Sequence, residues 1–135
     1  MKFKTLDGKE RTVKNIKKYL IKWDGKSRSK LQQHVKIFLK SYWQGDVVFE
    51  EMKVAGTRLS LDFYNANKKI AIEVQGEQHF KFVPFFHNTR GSYLKQIKRD
   101  VKKIEFCKLN EINLIEIYPK DNLNKDFFEK QGIYL

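Results

Sequence analysis

Cysteine occurs once in the 135 residues, at Cys107, which excludes an internal disulfide and any zinc site built on several thiolates. A reducing cytoplasm is the expected location. No apolar run approaches the ~18 residues of a membrane span, and the first residues lack the apolar stretch of a signal peptide. With two prolines and seven glycines there is no linker-like tract, internal repeat or domain boundary, so one domain is expected over 1–135. Acidic residues are also few. Sixteen Asp and Glu face 28 Lys and Arg, a formal net charge of +12, well beyond what solubility needs. A small domain with that surplus attracts polyanions, and nucleic acid is the commonest.

What is plentiful is aromatic and apolar. Eleven Phe stand among the aromatics and 41% of residues are hydrophobic, which argues for a packed core rather than disorder. At this length roughly two-thirds of the unfolded surface can be buried. The basic residues gather in 1–28, expected to be an N-terminal extension. Asp7-Gly8 there predicts a hairpin turn, and Ile16, Tyr19, Leu20 and Trp23 recur at helical spacing until Asp24-Gly25. Ser29 and Gln32 form a capping box. Leu31, Val35, Phe38, Leu39 and Tyr42 then mark an amphipathic helix ending near 43–45, with His34 at its margin as a structural histidine.

Three strands are predicted over 47–54, 58–64 and 69–75, joined by the short turn clusters at 55–57 and 65–67 and so forming an antiparallel meander. A helix over 92–110 follows, with Leu94, Ile97, Val101 and Ile104 as its buried stripe. A strand over 113–118 stops at Pro119, and a short helix over 122–131 is closed by Gly132. The fold class is α/β: a central mixed or antiparallel sheet flanked by helices, with a core at 29–118 and a C-terminal helix in 119–135.

Carboxylates fall where a core would not place them. Alternation puts Ile70, Ile72 and Val74 on one face of their strand and Ala71, Glu73 and Gln75 on the other. In the preceding strand Leu59, Leu61 and Phe63 oppose Ser60, Asp62 and Tyr64. If the two strands pair through the turn at 65–68, Asp62 and Glu73 meet on one polar face. Either residue alone would be an ordinary strand charge. Together they repel unless a proton or cation sits between them. Mg²⁺ suits such a pair, with Mn²⁺ as a substitute, because it takes one or two carboxylates plus water and phosphate oxygens. In phosphodiester hydrolysis a metal neutralises charge gathering at phosphorus and lowers the pKa of the attacking water. His79 stands just past the strand's end as a proton carrier, with His87 a second candidate. On the later helix Gln96, Asp100, Lys103 and Cys107 share the face opposite the apolar stripe. Asp100 could reach the metal or orient His79, with Arg99 and Lys103 beside it for phosphate.

Asp62 followed by Glu73-Val74-Gln75 resembles the PD-(D/E)xK nuclease core, with Leu61 where that motif often has Pro and Gln75 where it often has Lys. The runs Leu61-Asp62-Phe63, Val74-Gln75-Gly76-Glu77-Gln78-His79, Arg99-Asp100 and Leu114-Ile115-Glu116-Ile117 resemble the very-short-patch-repair endonuclease branch. They also resemble the phage homing endonucleases named for a Glu-Asp-x-His-Asp signature. The resemblance covers roughly 29–118. It implies a restriction-endonuclease-like core and a Mg²⁺-dependent DNA endonuclease of homing or nicking type, in a phage or its bacterial host cell.

In that signature Glu50 or Glu51 is the first carboxylate, Asp62 the second, His79 the histidine and Asp100 the last. Glu51 is favoured because it shares the polar face with Lys53. Asp62 and Glu73 would hold the metal, and Gln75 would orient a water or phosphate. The repair enzymes carry a structural zinc that one cysteine cannot build here, and the missing motif Lys leaves water activation to His79 or the metal. Phosphate contacts are expected from Lys26, Arg28, Lys30, Arg58, Lys95, Lys98, Arg99 and Lys103. A homodimer would serve double-strand cleavage. The alternatives are a non-catalytic nucleic-acid-binding module on the same fold and a structure-selective nuclease for branched DNA.

Overall fold

The computed structural model describes residues 1–75 and 90–135. Strands β1 (Lys2–Lys4) and β2 (Glu10–Thr12) form the expected hairpin, with Gly8 at φ 81° in its turn. Asn110 clips this hairpin to the body of the protein: it accepts from Lys4 N at 2.8 Å and donates to Lys4 O at 2.9 Å. The helix expected near Trp23 shrinks to a 3-10 turn, Ile16–Tyr19. Leu20 then bridges Phe49 and Ile21 N bonds Val48 O, so the edge of the sheet captures this segment before a helix can propagate.

Helix α1 (Lys30–Trp43) starts at Ser29, whose side chain accepts from Gln32 N. Its buried residues are Gln32, Val35, Lys36, Leu39 and Trp43. Tyr42 and His34 of the predicted face and margin are exposed, so the helix is rotated from its expected setting.

Strands β3 (Val48–Lys53), β4 (Ser60–Asn65) and β5 (Ile70–Val74) form the antiparallel meander, and β6 (Asn113–Ile117) joins β5 in parallel. The domain is therefore mixed α/β, a four-stranded mixed sheet flanked by helices. A parallel partner needs a crossover, and α2 (Arg90–Leu109) lies within it. A short α3 (Lys125–Lys130), capped by Asn124 and narrower than the 122–131 expected, completes the chain, with Gly132 at φ 81°.

Alternation divides the core. Val35, Leu39, Trp43, Phe63, Ile70, Ile72, Ile115, Ile117 and Phe128 pack in one cluster. Phe3, Phe49, Tyr64, Ala71, Phe106 and Cys107 pack in the other. Leu61 was expected on the same side as Phe63, yet it joins the second of these clusters with Met52 and Val54. In β3 the alternation changes at Glu51, whose φ of 53° is left-handed, and β4 stays in register with it.

The largest departure concerns α2. Leu94, Ile97, Val101 and Ile104, predicted to be buried, are 38–56% exposed. Phe106 and Cys107 point inward instead, with Asp100 and Lys103 half-buried. The sheet presents Glu73 and Glu116 at adjacent register positions, and a helix facing carboxylates docks through its polar side.

Candidate functional site

Pairing register places four carboxylates at one level of the sheet. Glu50 stands opposite Phe63 and Met52 opposite Leu61, so Glu51 lies level with Asp62. Phe63 pairs with Ile72, which brings Asp62 level with Glu73, and Glu73 pairs with Glu116. Where β4 and β5 separate, the carboxylates replace the ladder bonds. Asp62 N donates to Glu73 Oε2 at 2.8 Å, and Val74 N donates to Asp62 Oδ2 at 2.8 Å. The sequence reading of Asp62 and Glu73 as neighbours is thus matched by a reciprocal latch.

Lys103, expected among the exposed phosphate contacts, instead turns inward and forms an ion pair and hydrogen bond with Glu73 Oε1. Lys103 stands on a helix 30 residues downstream of Glu73. Burial, reinforced by the Asp62 charge, raises the Glu73 pKa to about 7 in spite of the Lys103 ammonium. Burial also raises Asp62, with Glu51 adding to the shift.

The pH dependence follows. Glu73 binds its proton more tightly folded than unfolded, so this group's effect is to lower stability as pH rises from about 4.5 to about 7, with no further loss above. Glu73→Gln should flatten that segment of a stability–pH profile, a change on the order of 3 kcal/mol. Chemical denaturation at pH 4.5 and pH 7.5 measures it; an unchanged slope would show that Glu73 is not held above its ordinary range.

Glu50 and Glu51 separate cleanly. Glu50 lies in a buried network with Lys36 Nζ at 2.7 Å, Ser27 Oγ at 2.7 Å and Gln32 Nε2 at 2.8 Å, so it serves the fold. Glu51 lies at the row of carboxylates, with Arg28 Nη1 at 3.4 Å from its Oε1. Its left-handed backbone costs a non-glycine residue about 1–2 kcal/mol, and such strain concentrates at functional positions. Glu51→Gly should therefore make the fold about 0.5 kcal/mol more stable, after glycine's own entropic cost, while weakening any activity of the row. A thermal melt showing destabilisation would remove the strain argument.

Glu116 is the residue that sequence reasoning passed over as a site member; a repeated level across four strands is visible only once β6 is known to pair with β5. It accepts a hydrogen bond from Tyr118 Oη. Burial, with that bond and the Glu116, Asp100 and Asp121 charges, pushes the Tyr118 hydroxyl up to about 12. Asp100 is therefore found beside Tyr118, at the Glu116 end of the row. Gln75 is buried, and its N–H bonds Ile117 O at 2.8 Å. Cys107 is buried and pushed up to about 12 by burial and the Glu73 charge, which keeps it a thiol. Lys26, Arg28, Lys30, Arg58, Lys95, Lys98 and Arg99 are exposed as expected. His79 and His87 lie outside the described residues.

The donor chemistry fits a hard divalent cation. Asp62 and Glu73 offer carboxylate oxygens, the ligands Mg²⁺ takes in ones and twos beside water, and the pair already draws the Lys103 ammonium. Among the described residues no group of three or more His, Cys, Asp or Glu is arranged to hold a metal. Among them, too, no helix is long and apolar enough to cross a membrane.

The chain is similar to viral proteins. It is 37% identical over 59 residues to the uncharacterized protein 307L of Invertebrate iridescent virus 6, covering 44% of this chain and 30% of that protein. Over 63 residues it is 43% identical to the uncharacterized protein 094L of Frog virus 3, covering 46% of this chain and 41% of that one. A third, the uncharacterized protein 033L of Invertebrate iridescent virus 3, is 33% identical over 64 residues, 33% of its length. The matched stretch spans 30–41% of the length of these relatives. No family model and no solved structure matches the chain.

Proposed function

We propose that this protein is a Mg²⁺-dependent DNA endonuclease related to the PD-(D/E)xK nucleases. The observation that carries the reading is the centre formed by Asp62, Glu73 and Lys103: a half-buried and a buried carboxylate latched to each other's strand, with a cation drawn to them. The charge of +12 supplies the attraction for DNA. Asp62 and Glu73 would hold the metal, with Glu51 beside them. A bound Mg²⁺ would polarise the phosphate and lower the pKa of the attacking water.

The chain's own groups supply the rest. Lys103 places positive charge at Glu73, where negative charge gathers as the phosphodiester is attacked. Gln75 follows the Glu73 strand and would orient water or phosphate. His79, by its position in the sequence, would exchange a proton with water or the leaving oxygen. Arg28, Lys26 and Lys30 would contact phosphates on the Glu51 side, and Lys95, Lys98 and Arg99 along α2. A homodimer would be needed to cut both strands in one encounter.

The test is nicking of supercoiled plasmid in Mg²⁺, in Mn²⁺ and in EDTA, alongside linear and branched duplexes. Metal-dependent nicking supports the enzyme, and strong preference for a branch makes it structure-selective. No cleavage of any DNA form, with salt-dependent binding retained, would leave the non-catalytic binding module.

A further inference from the structure

A charged side chain fills an interior position of α1. Lys36 is 1% exposed, and its ammonium is shared among Glu50 Oε1 at 2.7 Å, Lys22 O at 3.2 Å and Gly25 O at 3.2 Å. The other oxygen of Glu50 accepts from Ser27 Oγ and Gln32 Nε2, and Ser27 N donates to Gln33 Oε1 at 2.6 Å. A buried ion pair is seldom the most stabilising choice for such a space, since apolar residues of similar volume often do as well. What this one does is geometric. Its polar bonds run to one loop, 22–28, and hold that loop against α1 and β3.

Exposure alternates along the loop: Trp23, Gly25 and Ser27 are half-buried, while Lys22, Asp24, Lys26 and Arg28 are exposed. The one acid on the outer side, Asp24, is paired with Lys40 Nζ at 2.7 Å. At the end of the loop Arg28 reaches Glu51, the first carboxylate of the row.

We propose that loop 22–28 is a preorganised phosphate-binding rim continuous with the carboxylate row, with Lys36, Glu50, Ser27 and Gln32 as the positioning residues that hold it. Lys26 and Arg28 take successive phosphates of a DNA backbone entering the site from the β3 side. The inference deepens the endonuclease reading by naming where the flanking backbone lies, and it rests on that reading for its substrate. Holding the cations in place in advance reduces the ordering cost of binding.

The experiment is equilibrium binding of a fluorescent 20-base-pair duplex in EDTA across a salt series, so that no cleavage is needed. Lys26→Ala/Arg28→Ala changes two exposed residues and is expected to make the log–log salt slope shallower by about 1.8, at about 0.9 per lost contact. Ser27→Ala keeps every charge and is expected to weaken binding about fivefold, with Ser27→Thr restoring it. A merely structural serine would shift the melting temperature without this recovery tracking in affinity. The proposal is overturned if the double variant keeps the wild-type slope, or if Ser27→Ala, folded by circular dichroism, binds as wild type does. The endonuclease reading fails separately: wild type that binds through the rim but nicks nothing in Mg²⁺ or Mn²⁺ keeps the rim and loses the enzyme.

Discussion

Asp62→Asn should lower the proposed Mg²⁺-dependent nicking by roughly 10²–10³-fold or more, the scale seen when one electrostatic element of a preorganised site is removed. The same variant should keep its fold. Asn retains an oxygen to accept from Val74 N, and it lifts a half-buried charge whose pKa is raised by desolvation and by Glu51. In EDTA, DNA binding should be unchanged or tighter, because without a metal the carboxylate repels the phosphate that must approach it. A structural Asp62 predicts the reverse pattern: a lower melting temperature, weaker binding and no metal-dependent activity to lose. A nicking assay, a melt and an affinity measurement on one purified variant separate the two.

Glu50→Ala should be strongly destabilising. It leaves the Lys36 ammonium 1% exposed with only two backbone carbonyls. Breaking a buried pair from one side costs about 3–5 kcal/mol, a fall of roughly 10–20 °C in melting temperature for a domain of this size. Lys36→Met with Glu50→Met removes both charges and should recover most of that stability. It should not recover the salt dependence of DNA binding if the pair positions loop 22–28. Stability and binding would then part company in one variant, which a purely structural role for the pair does not allow. A Glu50→Ala protein with an unchanged melt would contradict the burial argument itself.

Much of the carboxylate pair was legible beforehand because its determinants are local. The turn after Asn65 is short, so β4 and β5 can pair in few registers. That register places Asp62 and Glu73 together, as the latch between them bears out, although the expected alternation of β4 breaks at Leu61. The choice between Glu50 and Glu51 was not local, since adjacent residues of a strand are equivalent until something packs on each face. Lys36, arriving from α1, decided it by engaging Glu50. Lys103 was read as a phosphate contact for the same reason: nothing near it in the chain announces Glu73.

The setting of α2 shows the limit most plainly. Leu94, Ile97, Val101 and Ile104 carry a helical apolar period, and the helix forms, yet the face turned to the sheet is the one bearing Asp100, Lys103, Phe106 and Cys107. Periodicity reports that a helix has two sides; which side is buried depends on the surface it meets, here a sheet bearing Glu73 and Glu116.

Composition, by itself, determined the strong positive charge and the absence of an internal disulfide. Local patterning determined the hairpin at Asp7-Gly8, the start of α1 at Ser29 and the antiparallel order of β3, β4 and β5. Only tertiary structure decided the parallel docking of β6 that brings in Glu116, the burial of Lys36 and the pairing of Lys103 with Glu73. The first set rests on backbone preferences and short closures spanning a few residues. The second joins groups 14 to 43 positions apart, whose meeting is selected by the free energy of the assembled core.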